Sequence, residues 1–365
     1  MNPGRRRNMK KFLKISGITF GTLLLIVIAY VIYVFAAYER VEDNAKLEVV
    51  SSQSPEKTVP TGEKLSITSW NIGFGAYTDE YSFFMDGGEH SRGFSEEIVY
   101  DTVQTMTDDL QEMDSDFYLI QEVDLDATRS YHINEYDLLT SPFDSMSKVY
   151  AQNYDSPYLF YPILKPHGKS VAGIVTMADY YISSSLRRSL PIQDGFAKFV
   201  DLDRCYSISR LPVENGKELI LVNFHLSAYT TDPTIAESQL EMLYHDLTSE
   251  YEKGNYIVCG GDFNKDLLED SSSIFGVPGD DYSWAKAFPY DSVPEGLKVI
   301  APFNSGTLVP SCRNADMPWD PEKNFQLTID GFIISDNVDC IESDVIDKQF
   351  ACSDHNPVYM NFILK

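Results

Sequence analysis

The chain has 365 residues and carries 29 Lys and Arg against 55 Asp and Glu, a formal net charge of −26. That length suits one large domain or two small ones, and so acidic a balance argues against a general binder of nucleic acid or anionic membrane, which needs basic charge. Five cysteines, an odd number without Cys-x-x-Cys spacing, supply neither a disulfide framework nor a zinc site.

Residues 1–14 hold Arg5, Arg6, Arg7, Lys10, Lys11 and Lys14 and no acid. Residues 15–38 follow as an apolar run, about 36 Å long as a helix and enough to span a bilayer. Glu39, Glu42 and Asp43 come next. Basic residues before the span and acids after it put the N-terminus in the cytoplasm and the remainder outside the cell. The run is read as an uncleaved anchor. The alternative is a signal peptide cut near Ala36 and Ala37, but such peptides have apolar cores of about 7–15 residues. Without the six basic residues of the head, 23 Lys and Arg face 55 acids, a formal −32. A polyanionic substrate then requires a local basic groove or a divalent cation.

Residues 39–64 include Ser51, Ser52, Ser54, Pro55, Pro60 and Gly62 and show no periodicity, so they read as a stalk below a domain at 65–365. Residues 65–70 alternate like a strand and end at Asn71. Ser95, with Glu96 and Glu97 behind it, has the chemistry of a helix N-cap, and Val99, Val103, Met106, Leu110 and Met113 fall on one helical face. A strand at 117–120 then delivers Gln121 and Glu122. The second half repeats this plan. A strand at 219–224 ends at His225, and a helix starts at Asp232 and Pro233 with Ala236, Leu240, Leu243 and Leu247 as its stripe. A strand at 256–259 leads to Gly260, Gly261 and Asp262. Further strands are expected at 171–177, 325–334 and 358–364, and residues 266–308 as a long surface excursion. Two such halves suggest αβ layers packed sheet to sheet with helices outside. If any disulfide forms, Cys340 with Cys352 is the pair to expect.

Six polar motifs punctuate this plan: Trp70-Asn71, Gln121-Glu122, Asn223-Phe224-His225, Gly261-Asp262-Phe263-Asn264, Ile329-Asp330 and Ser353-Asp354-His355. Alone, each has an ordinary reading, such as a solvated acid, a turn or a core histidine. In this order they resemble the endonuclease/exonuclease/phosphatase superfamily of Mg²⁺-dependent phosphodiesterases and phosphatases, here as a membrane-anchored, bacterial-type member. The resemblance covers essentially all of 65–365 and implies an α/β fold, a four-layer α/β/β/α sandwich preceded by one transmembrane helix. It implies that Glu122, Asn71 and Asp354 hold Mg²⁺, or Mn²⁺ in its place.

The chemistry of the residues agrees. Ester hydrolysis at phosphorus needs a cation on the phosphoryl oxygens, an activated water and donors for developing charge, and a carboxylate such as Glu122 is a hard ligand for Mg²⁺. Asp262 and Asn264, two apart, share a face if extended, so the acid can activate water while the amide donates to phosphate. Asp330 is the expected partner of His355, fixing its tautomer; the resemblance leaves His355 as either base or phosphate-binding cation. His225 is expected to donate to the phosphate, beside Asn71 and Asn264. His167 and Lys169, just before a strand, are further candidates to contact an anion, as are Arg187 and Arg188. Arg129, Tyr131 and His132 are candidates for the entrance.

The function expected is an outward-facing, membrane-anchored hydrolase of phosphoric esters, working by metal-assisted in-line attack of water. Lipid headgroups, nucleic acids and small molecules are the three classes of ester open to it, and no protein partner is evident. The alternatives are a secreted-type nuclease, or a surface binding module that has kept the fold without catalysis.

Overall fold

The computed structural model describes residues 3–193, 195, 198, 201–228, 233–277, 284–304 and 306–365. After α1 (Pro3–Ala37) come two short strands, β1 (Ala45–Leu47) and β2 (Val49–Val50). The first half continues through β3 (Leu65–Asn71), α2 (Glu96–Met113), β4 (Phe117–Ala127), α3 (Glu135–Thr140), β5 (Ser147–Asp155) and β6 (Ser170–Ala178). The second half begins with β7 (Ser184–Ser189), β8 (Cys205–Pro212), β9 (Glu218–His225), α4 (Pro233–Tyr251), β10 (Tyr256–Asp262) and α5 (Ser271–Phe275). It closes with β11 (Leu297–Ile300), β12 (Cys312–Arg313), β13 (Gln326–Leu327), β14 (Asp330–Ser335), β15 (Val338–Val345) and β16 (Val358–Leu364).

Two seven-stranded sheets form, in the orders β15-β16-β3-β4-β6-β5-β2 and β1-β7-β8-β9-β10-β14-β11. The repeated plan in the sequence is visible at the centre of each. β3 runs parallel to β4 across helix α2, and β9 runs parallel to β10 across α4. Alternation assigns the faces. Leu65 and Ile67 on β3 and Leu119 on β4 meet Leu219, Leu221 and Val258 of the other sheet in the central core. On the outer face of the first sheet, Trp70, Tyr118 and Ile120 pack under Val99, Val103, Met106 and Leu110 of α2. On the second, Ile220, Val222 and Ile257 pack under Leu240, Leu243 and Leu247 of α4. The result is the expected helix–sheet–sheet–helix sandwich, with each buried aliphatic side chain contributing about 1.5–3 kcal/mol.

Local chemistry sets the helix ends. The Ser95 hydroxyl accepts the Ile98 N–H at 3.2 Å, and Asp114 ends α2 in the left-handed region at φ 45°. The N-cap expected at Asp232 lies outside the described residues.

Several expectations are corrected. Residues 39–64 do not form a free stalk: β1 pairs with β7 and β2 with β5, and Val59 is fully buried in the core between the sheets. These edge strands are too short to show alternation in the sequence. Residues 266–308 are not wholly a surface excursion, because Leu267 and Phe288 are buried and β11 closes the edge of the second sheet on β14. The strand expected at 325–334 divides into β13 and β14, and β4 runs on past Glu122 to Ala127 through a bulge. Helix α1 starts inside the basic head, at Pro3. Cys340 and Cys352 are both free.

Candidate active site

The parallel pairs deliver their polar residues to one rim. Asn71 is the last residue of β3, His225 of β9 and Asp262 of β10, while Asp330 opens β14 directly opposite Asp262. Glu122 sits in the β4 bulge between Ile120 and Val123, at φ 58°, and Asn264 follows β10 at φ 51°. Both are left-handed conformations, costly for side chains other than glycine. The bulge puts one extra residue into the strand, which re-aims the carboxylate toward the rim. Gly261 permits the close crossing beside it: at φ 149°, a Cβ there would lie 2.0 Å from the Phe224 carbonyl oxygen.

These residues surround a cleft of about 190 Å³ lined by Glu122, His225, Asp262, Asn264, Asp354 and His355 together with side chains from neighbouring loops. Asn71 lies beneath it, donating from Nδ2 to Glu122 Oε1 and to Asp262 Oδ2, both at 3.2 Å. Ser353 Oγ donates to the Asn71 carbonyl at 2.8 Å, and Trp70 Nε1 donates to the His355 carbonyl at 2.9 Å. The tryptophan and asparagine of the first motif therefore clamp the last motif in place.

His355 Nδ1 is 2.8 Å from Asp330 Oδ2, which also accepts from Ser311 Oγ at 2.7 Å. His355 Nε2 is 3.9 Å from Asp262 Oδ2 and 3.6 Å from Cys312 Sγ. Burial disfavours the imidazolium, but the Asp330 carboxylate outweighs it and lifts the His355 pKa well above its ordinary value. His225 Nε2 lies 3.5 Å from Asp262 Oδ2 and 4.0 Å from Glu122 Oε1. Burial, with the charges of Arg204 and His355, holds His225 well below its usual range. One histidine is thus a cation and the other neutral near pH 7, set apart by environment. Burial and the neighbouring Asp330 raise Asp262. The Asn264 N–H donates to Asp262 Oδ1 at 2.8 Å and its side-chain Nδ2 donates to the Leu226 carbonyl at 2.8 Å.

Asp262, Asp330 and His355 offer ligand atoms within 4.8 Å of one another. Asp330 Oδ2, however, already accepts from the His355 and Ser311 donors, although its Oδ1 has no partner among the described residues. Glu122 and Asp354 fit a cation better. Burial lifts Asp354 to about 6, the Glu122 charge adding to it against His355 and Arg313. Two carboxylates that repel each other across one cleft are relieved by a hard divalent cation.

His167 lines the cleft but is buried, its Nδ1 bonded to the Ser91 carbonyl at 3.0 Å, and burial with the Arg129 charge pushes it down to about 3. It stands in the cleft wall as a neutral ring. Lys169 is half exposed, pairs with Asp155 at 3.2 Å and does not line the cleft. Arg187 is fully buried and clips the chain, donating to the carbonyls of Gln152, Val41 and Asp203. Arg188 pairs with Asp43 and Asp246. Arg129 does line the cleft, held by Asp124 at 2.8 Å and stacked 3.9 Å over Phe74, whereas Tyr131 and His132 do not.

Three further cleft residues carry no signal in the sequence. Arg204, Arg313 and Asn314 are buried, and Arg204 Nε, Arg313 Nε and Asn314 Nδ2 have no hydrogen-bond partner among the described residues. Their segments lack any motif, so only the rim's geometry reveals them.

No family model and no curated protein sequence matches the chain. Its structure is similar to an endonuclease/exonuclease/phosphatase from Beutenbergia cavernae DSM 12333, with 16% identity and a TM-score of 0.53 over 82% of this chain and 72% of that one. It is also similar to ANGEL2, a 2′,3′-cyclic phosphatase, with 14% identity and a TM-score of 0.52 over 88% of this chain and 98% of that one. For D. rerio TDP2 complexed with single strand DNA product the identity is 15% and the TM-score 0.51, over 82% of this chain and 99% of that one. The chain has the fold of the endonuclease/exonuclease/phosphatase proteins.

Proposed function

We propose that the chain is a membrane-anchored, metal-dependent hydrolase of phosphoric esters, with water as the attacking nucleophile. One observation carries this reading. Two carboxylates, Glu122 and Asp354, and the donor-bearing side chains of His225, Arg313, Asn314 and His355 line the same small cleft. A phosphate ester bound with a cation is complementary to both sets at once. The fold shared with a phosphatase and with a DNA-product complex supports the same chemistry.

Glu122 and Asp354 would hold the cation, with Asn71 orienting the Glu122 carboxylate. Bound Mg²⁺, or Mn²⁺, supplies Lewis-acid stabilisation of phosphoryl charge. Asp262 takes the proton of the attacking water; its raised pKa suits a base working near neutral pH. His355, kept protonated by Asp330, provides positive charge beside that water. Neutral His225 donates a hydrogen bond to a phosphoryl oxygen. Asn264 uses one side-chain N–H on the Leu226 carbonyl and keeps the other for phosphate. The anchor is α1, with its basic head in the cytoplasm and the domain outside the cell. Helix Asn8–Ala37 has a mean hydropathy of 2.5 over its most apolar stretch and none of that stretch is buried, which supports the anchor.

The test is hydrolysis by the full chain in mild detergent, offered bis-p-nitrophenyl phosphate and p-nitrophenyl phosphate with Mg²⁺ or EDTA. The expected result is Mg²⁺-dependent turnover that falls about 10²–10⁴-fold in His355→Ala. Turnover that persists in EDTA, or survives in the variant, overturns the reading.

A further inference from the structure

The connection between β5 and β6 exposes a dense apolar tip. Phe160, Tyr161, Ile163 and Leu164 are 58%, 69%, 85% and 96% exposed. Single exposed apolar residues are ordinary on soluble surfaces, but four within five positions are not. Leu164 has given up almost none of its surface to the protein, so a water-facing tip of this composition is costly without a cover.

The same loop touches the anchor helix. The Tyr30 hydroxyl donates to the Tyr158 carbonyl at 3.1 Å, and the Tyr158 N–H donates to the Tyr33 hydroxyl at 2.9 Å. The rings of Tyr30 and Phe160 meet edge to face at 5.3 Å. A bilayer core takes about 20 helical residues, and counted from Ile15 these end near Val34. Tyr30 and Tyr33 therefore sit in the last turns of the span, at the level where tyrosine prefers the boundary between hydrocarbon and headgroups. The tip beside them lies at the same depth. Lys165 follows it, exposed, where a cation reaches lipid phosphates.

From this boundary the loop leads to the cleft. The His167 N–H donates to the Tyr161 carbonyl at 3.1 Å, and His167 lines the cleft. The Tyr161 ring meets the Phe84 ring at a tilt, with centroids 5.7 Å apart, and Phe83 and the exposed Met85 on either side of Phe84 line the cleft as well. The chain leaving α1 borders the same opening. Tyr38 reaches Asp203 at 3.5 Å and Arg40 reaches it at 3.6 Å, while the adjoining Leu202 lines the cleft. The chain leaving α1 is thus bound beside residues that line the cleft, with no slack for a stalk.

We infer that the 157–165 loop is a membrane-inserting lip, and that the cleft it borders takes its phosphate ester from a lipid headgroup in the leaflet crossed by the outer end of α1. The inference rests on the hydrolase reading for the ester, but not for the lip. The lip keeps the cleft at headgroup level, so a lipid phosphate reaches the cation site by lateral diffusion and a small lift from the leaflet. The acidic domain would otherwise be pushed from an anionic surface, and a short apolar contact beside a fixed anchor overcomes that repulsion locally.

The experiment uses the full chain reconstituted in vesicles of phosphatidylcholine, phosphatidylglycerol and phosphatidic acid. Wild type is compared with the double variant Ile163→Ser, Leu164→Ser on vesicle lipid and on soluble bis-p-nitrophenyl phosphate. The expected result is a loss of about tenfold or more on vesicle lipid, with soluble-ester turnover unchanged. Equal losses on both, no loss on either, or a wild type that cleaves only the soluble ester overturns it. In parallel, the emission of Leu164→Trp is read in vesicles with brominated acyl chains, against Ile341→Trp on β15 at the far edge of that sheet. Stronger quenching at 164 supports the lip, and equal quenching overturns it. If wild type cleaves no ester at all, the hydrolase reading and the lipid substrate fall together, and the quenching decides the lip by itself.

Discussion

His355 Nδ1 and Asp330 Oδ2 stand 2.8 Å apart, joined from two different β-strand junctions 25 positions apart in the chain. Asp330 leads β14, and His355 precedes β16 in the other sheet. The pair therefore ties the two sheets together at the rim and points the opposite ring nitrogen, Nε2, toward Asp262 at 3.9 Å.

Asp330→Asn keeps the shape but removes the charge that holds His355 protonated. Turnover of a phosphoric ester is expected to fall about 10²–10⁴-fold, with melting temperature little changed. Steady-state kinetics beside a thermal melt check this, and a variant with wild-type turnover contradicts the role given to the pair.

Glu122→Gln removes one of two mutually repelling carboxylates. Mg²⁺ affinity, read by calorimetry, is expected to weaken at least about tenfold. Without metal the variant should be as stable as wild type or more so, because Asp354 loses an unfavourable neighbour. A cation site elsewhere in the cleft would leave the affinity unchanged.

Gly261→Ala forces a Cβ to within 2.0 Å of the Phe224 carbonyl at a positive φ. The two central strands of the second sheet cannot both keep their register, and the cost should exceed about 3 kcal/mol. Soluble yield and a urea melt measure it; a mild effect would mean that β9 and β10 can separate at the rim.

Arg210→Ala should make the fold sensitive to acid. Burial raises the Glu250 pKa, but hydrogen bonds from Arg210, Lys253 and Asn255 outweigh it and bring Glu250 down to about 2. A folded-state pKa below the unfolded one, about 4.3, contributes stability that is complete above pH 4.3 and is lost as pH falls toward 2. Without Arg210 the window narrows. The acid-unfolding midpoint is expected to move to higher pH, and stability at pH 6 to drop by about 1–2 kcal/mol. Circular dichroism against pH tests both.

Deleting residues 1–37 should leave a folded domain, whereas deleting 1–64 should not. The longer cut removes β1, β2 and the buried Val59, uncovering an edge of each sheet and part of the core between them. The expected cost is about 3 kcal/mol or more, seen as a lower melting temperature or aggregation on size exclusion. Equal behaviour of the two truncations would restore the stalk.

Much of the sandwich was legible because its central elements are long and two-faced. α2 and β3 carry clear periods of 3.6 and 2, and their caps and ends agree with those periods. β5, β7, β8 and β15 went unnoticed: β7 is Ser184–Ser189 with two arginines inside it, and charged residues in an edge-side strand erase the apolar alternation. β1 and β2 are too short to carry any pattern. The candidate site was legible where a residue belongs to a motif, as with Glu122, Asp262 and His355. Lys169 was misplaced because a basic residue before a strand looks the same whether it faces a cleft or the carboxylate of Asp155.

The sequence by itself determined the two strand–helix–strand halves, the apolar N-terminal helix and the ordered set of polar residues, since periodicity and residue chemistry are local properties of the chain. Tertiary structure alone decided that those residues converge on one rim, that His355 is charged while His225 is neutral, and that Arg204, Arg313 and Asn314 join them. It also decided that the segment after the N-terminal helix is sewn into both sheets and that the 157–165 loop lies against that helix. Each of these depends on burial, on register between distant strands, or on a charge brought close by folding, and none of those distances is written in the spacing of residues along the chain.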